Sequence, residues 1–112
     1  MSLSGAVSSI DSWFHSKCDG NWEHQAGITI ETTDNPGWWM TFDNYSIESP
    51  ILSELAADIL REYGANVDMD GVSLRVFARS LNSCLQAAAA IIDAGKQIAA
   101  TDKSKRRGKR KR

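Results

Sequence analysis

The chain has 112 residues, 42% hydrophobic and 24% charged, enough apolar material for one small core and none to spare for a second domain. No apolar run approaches the roughly 18 residues of a membrane span, and Met1 to Gly5 has neither the basic start nor the apolar block of a secretory signal, so a cytoplasmic protein is expected. The net charge of −1 averages two opposite objects: residues 103–112, KSKRRGKRKR, hold eight of the 13 basic residues and no acid, leaving residues 1–102 at −9 and the tail at +8. The expected organisation is one domain over 1–102 and a basic disordered tail over 103–112. An acidic body disfavours duplex nucleic acid as its target and favours a basic partner. Cys18 and Cys84 stand too far apart to form a metal or redox motif and read as free thiols.

From Leu3 to Lys17 the residues Leu3, Val7, Ile10, Trp13 and Phe14 recur at helical spacing, and Asp19-Gly20-Asn21 ends that helix. Ile28 and Ile30 alternate along Gly27–Thr33, and Trp38–Phe42 is a second run of strand-forming residues. Between them Asp34-Asn35-Pro36-Gly37 is a strong turn signal, which predicts a hairpin over about 26–44. Ser49 is a suitable cap and Pro50 a suitable first residue for a helix that carries a stripe through Ile51, Leu52, Leu55, Ile59, Leu60 and Tyr63 and stops at Gly64. Asn66 to Gly71 reads as a polar turn, with room for a short strand through Val67 and Met69. A last helix is expected from Leu74, capped by Ser73, to about Ala100, with Phe77, Leu81, Cys84, Leu85, Ala88, Ile91, Ile92 and Ile98 on its apolar face. The run Ala87–Ala90 favours helix but buries little side chain, so it must lie close against a neighbour or pair with another chain. Gly95 is expected to fray or bend the end. The fold class is α+β: a short antiparallel hairpin or sheet packed by an N-terminal helix and two C-terminal helices.

A catalytic reading would start from Cys18 beside His15 or His24, but no oxyanion-forming glycine loop and no third orienting residue accompanies them. His15, Cys18, Asp19, Glu23 and His24 are chemically able to ligate a metal yet lack paired spacing, so neither a metal nor a cofactor is implied. The aromatic residues say more. Six of the nine lie between Trp13 and Phe42, and adjacent Trp38 and Trp39 must point to opposite faces of the hairpin. A helix layer can bury one; the other needs a second cover or serves a partner.

The stretch Trp13-Phe14-His15-Ser16-Lys17-Cys18-Asp19-Gly20-Asn21-Trp22-Glu23-His24, with Gly27–Thr32 and Asp34-Asn35-Pro36-Gly37-Trp38, resembles the immunity protein 53 family over about residues 10–43. The resemblance implies a small cytoplasmic protein of a bacterial polymorphic toxin system, encoded beside a toxin that it binds and neutralises without catalysis. Past residue 43 the family pattern continues in further strands, whereas the residues here read as helices. The implied partner is a cognate toxin, with a nuclease as one candidate because an acidic surface suits a basic groove. Expected partner-binding residues are Trp22, Glu23, Asp34, Asn35, Trp38, Trp39, Glu48, Glu54, Asp58 and Glu62, the first three and Asn35 and Trp38 forming one cluster. The alternative is a nucleic-acid-associated accessory protein that binds phosphates through Lys105, Arg106, Arg107, Lys109 and Arg110 of the tail. A homodimer is compatible with either reading.

Overall fold

Helix α1, Leu3–Lys17, begins where the Ser2 hydroxyl accepts the Gly5 N–H at 3.1 Å and buries Ala6, Ile10 and Trp13; of the expected stripe Ile10 and Trp13 are buried and Phe14 half-buried, while Leu3 and Val7 stand exposed. The structure is a computed structural model that describes the backbone of residues 2–45, 49–70 and 72–110 and the side chains of residues 2–45, 53–69 and 72–95. A single 3-10 turn, Trp22–His24, leads into strand β1, Ile28–Thr33, and strand β2, Gly37–Phe42. The two strands pair antiparallel from Ile28↔Phe42 to Thr33↔Gly37 across the expected turn. Helix α2, Ser49–Tyr63, ends at Gly64, whose N–H donates to Leu60 O at 2.9 Å at a φ of 67° that a left-handed cap requires.

The second half departs from the expected pair of helices. Asn66–Asp70 is a full strand, β3, and Ser73–Ala78 is a strand, β4, so Leu74 starts no helix. Alternation decides it: Leu74, Val76 and Ala78 are buried while Ser73, Arg75 and Phe77 point the other way. Helix α3 runs Leu81–Arg110, and its cap is Ser80, whose Oγ accepts the Ser83 N–H at 3.1 Å, not Ser73. The boundary expected at residue 102 falls within that span. Gly95 sits in the helix because Tyr45 crosses it: a Cβ there would stand 2.9 Å from the Tyr45 hydroxyl, which donates to Ile91 O at 3.3 Å.

The four strands form one antiparallel sheet in the order β1-β2-β4-β3. Met40 and Phe42 of β2 and Leu74, Val76 and Ala78 of β4 face the helices, with α3 packed over these two central strands and α1 and α2 against α3. Ala87, Ala88 and Ala89 are fully buried there with Ala6 of α1, so the alanine run lies close against its own chain's elements. Trp13 pins the α1 end of the core, meeting Phe42 edge-on at 5.4 Å and Tyr45 at 5.6 Å. Cys84 is a buried thiol, pushed up to about 11 by burial. This is an α+β fold with all three helices on one side of the sheet.

Candidate partner-binding site

The other side of the sheet carries no helix among the described residues. Its residues follow from register: Glu31 of β1, Trp39 of β2, Phe77 of β4 and Asn66 of β3 form one row, and Thr29, Thr41, Arg75 and Asp68 the next. The rings of Trp39 and Phe77 meet at a tilt of 52° with centres 5.2 Å apart, and the Arg75 guanidinium lies over the Trp39 ring at 4.4 Å. Arg75 therefore reaches across to the indole and makes no ion pair with its cross-strand neighbour Asp68, and Glu31 is equally without an ion-pair partner among the described residues. Gly37 makes room for this layer, because a Cβ there would lie 2.7 Å from two atoms of the Phe77 ring. Beside it, Asn35, Pro36, Phe77 and Arg79 line a cavity of about 270 Å³. The result is a half-buried aromatic platform with one stacked cation, rimmed by free carboxylates.

The expected residues divide over this frame. Trp38 and Trp39 do point to opposite faces: Trp38 packs against the core, where the Cys84 thiol approaches its carbonyl at 3.8 Å, and Trp39 belongs to the open face. Asp34 and Asn35 sit at the turn end of that face. Trp22 and Glu23 sit at the far end of the hairpin, roughly 17 Å of strand away, so the expected five-residue cluster does not form. Glu23 closes a loop of its own. Its carboxylate accepts the Gly20 N–H at 2.9 Å and the Asp19 N–H at 3.0 Å, while Asp19 Oδ1 accepts the Asn21 and Trp22 N–H groups, each at 2.9 Å. Both carboxyls are held below their ordinary range by these backbone donors, for Glu23 its own N–H foremost. Trp22 meets Trp13 edge-to-face at 5.8 Å and Phe14 at 6.0 Å, and its indole N–H is buried with no hydrogen-bond acceptor among the described residues.

Glu54, Asp58 and Glu62 form an exposed column one turn apart on α2, away from the platform, with Arg61 bridging to Asp58. Glu48 lies outside the described residues. Lys105, Arg106, Arg107, Lys109 and Arg110 fall within the bounds of α3, and their side chains lie outside those described. Arg75, Phe77 and Arg79 were missed because a helix was expected from Leu74, and Asp68 because Asn66–Gly71 read as a polar turn; the period-two pattern of Ser73–Ala78 was the signal for β4 and the residues it carries.

The catalytic candidate is poorly placed. Cys18 donates to Phe14 O at 3.3 Å, and desolvation, then the Glu23 and Asp19 carboxylates, push its thiol up, which keeps it protonated and a weak nucleophile. No group of three or more His, Cys, Asp or Glu side chains converges among the described residues, and no helix described is long and apolar enough to cross a membrane.

An α+β domain in which one sheet face, uncovered among the described residues, bears aromatic side chains in contact has the build of a binding module. The family model of immunity protein 53 matches residues 7–85, and the chain belongs to that family. The match extends well past residue 43, so β3, β4 and the start of α3 lie inside the family region where a departure was expected. Membership points to a toxin-neutralising role and a toxin as partner. No curated protein and no solved structure matches the chain.

Proposed function

We propose that this protein is a non-enzymatic inhibitor that acts in the cytoplasm by binding a cognate toxin, with the open sheet face as its contact surface. The observation that carries the reading is the platform of Trp39, Phe77 and Arg75, because a half-buried aromatic pair under a planar cation presents the Trp and Arg side chains enriched at interface hot spots. Glu31, Asp34 and Asp68 around it give the rim the sign that suits a basic toxin surface, a nuclease groove among them. Trp39→Ala should weaken binding of the toxin encoded beside this protein by about 2 kcal/mol or more, some thirtyfold, with the fold retained. Cys18→Ala should still protect cells that express the toxin. Toxin affinity unchanged by Trp39→Ala would remove the open face from the interface, and loss of protection in a stably folded Cys18→Ala would return catalysis to consideration.

A further inference from the structure

The helix-covered side of the sheet is incompletely closed at β1. Because the strand order is β1-β2-β4-β3, β1 is an edge, and its backbone polarity can be assigned from one bond. The Asp43 N–H donates to Gly27 O at 3.0 Å, and antiparallel alternation then turns Thr29, Glu31 and Thr33 toward β2. Ile28, Ile30 and Thr32 are left with their N–H and C=O groups directed away from the sheet. β1 has no lysine, proline or bulge of the kind that blunts an edge. The side chains of Ile28 and Ile30 run along a groove of about 410 Å³ that α1 leaves open, lined also by Val7, Ile10, Phe14 and Leu85. Two of the large apolar side chains that line it stand exposed, Val7 at 50% and Ile30 at 48%.

We propose that this edge and groove together accept an extended protein segment as a fifth strand, one whose apolar side chains alternate with basic ones, and that the toxin supplies it. The proposal deepens the toxin-binding reading and rests on it for the donor. Backbone pairing would come from Ile28, Ile30 and Thr32, and alternate side chains of the incoming strand would fall into the groove, spaced as the isoleucines are. Charge selects the occupant. Among the described residues Asp11 is the one ionisable residue lining the groove, Glu31 is the one charge on β1 and lies on the opposite face, where the strand's outward side chains would stand, and the body carries −9, so the charge near the edge is acidic. A second copy of this chain would set acidic body against acidic body, and its tail KSKRRGKRKR has no apolar residue for the groove.

The test uses the full chain and an end-blocked ten-residue peptide of alternating valine and lysine, read by fluorescence polarisation. The peptide should bind, and binding should fall at least tenfold when its edge-facing amides are N-methylated, when glutamate replaces lysine, or when the protein carries Ile30→Lys or Thr32→Pro. Thr32→Pro removes an outward N–H and leaves the β1–β2 ladder intact, and circular dichroism verifies the fold. Equal binding of the N-methylated peptide, or of the glutamate peptide, would overturn the proposal, as would no binding of the parent peptide. A concentration-dependent dimer that Thr32→Pro abolishes would replace the toxin segment by a second copy. Toxin that binds the parent and Thr32→Pro alike would refute the edge as its contact and leave the toxin reading standing; a peptide that behaves as expected beside a toxin that does not bind would refute the toxin as donor and leave the acceptor edge standing.

Discussion

At the scale of single residues, the run Cys18-Asp19-Gly20-Asn21-Trp22-Glu23 is explained by hydrogen bonding within itself. Glu23 accepts the N–H groups of Asp19 and Gly20 in the bend after α1, Asp19 accepts those of Asn21 and Trp22 where the 3-10 turn begins, and Gly20 supplies a φ of 92° in the bend. Residue types that look like metal ligands or a catalytic Cys-His pair are thus spent on a loop. The consequence for pH follows from the direction of the shifts. Both folded-state pKa values are depressed, so the stabilisation is complete above the ordinary carboxylate range and is lost as pH falls through the depressed values. Glu23→Gln should lower the urea midpoint at pH 7, and its gap from the parent should be smaller at pH 3. A gap of the same size at both values would show that Glu23 acts by packing and not by charge.

Among elements, β2 and β4 decide most of the molecule, since they bury the core on one side and build the aromatic platform on the other. Gly37 links the two roles, as it starts β2 and lies under the ring of Phe77 from β4. Gly37→Ala should destabilise the protein by about 1–3 kcal/mol through overpacking. In a Phe77→Ala background the cost should shrink, with a coupling of about 1 kcal/mol or more by chemical denaturation. Additive costs would place the strain elsewhere, at Ala78 O, which a Cβ would approach at 3.1 Å. The element-level misreading has the same root: Phe77, Leu81, Cys84 and Leu85 fit a helical stripe, but the strand's pairing with β2 through Trp39↔Phe77 outweighs it.

Over the whole molecule, charge is separated by position. The body is acidic, and its most regular acidic feature, Glu54, Asp58 and Glu62, lies on α2 and not beside Trp39. Such a column acts at a distance, as a guide to encounter. Reversing Glu54 and Glu62 to lysine should slow association with the toxin several-fold at low salt and little at high salt, with dissociation unchanged. Truncation after Asp102 should leave toxin affinity intact. Loss of a salt-sensitive affinity for DNA or RNA on truncation, with no toxin binding by either form, would instead favour the nucleic-acid accessory role.

The sequence by itself determined the elements whose signals are local. Helix α1 announces itself by its apolar spacing, the hairpin by Asp34-Asn35-Pro36-Gly37 between two strand-forming runs, and the end of α2 by Gly64, because periodicity, turns and caps are decided by neighbours a few positions apart. The opposite facing of Trp38 and Trp39 was legible for the same reason. What only the tertiary structure decided is which partner each strand takes. Placing β4 between β2 and β3 put Phe77 and Arg75 beside Trp39, separated Glu23 from Asp34 by the length of a hairpin, and left β1 as an open edge. Strand order arises from long-range pairing and burial, which no window of adjacent residues encodes, so the open face and the β1 edge emerge only once the sheet is assembled.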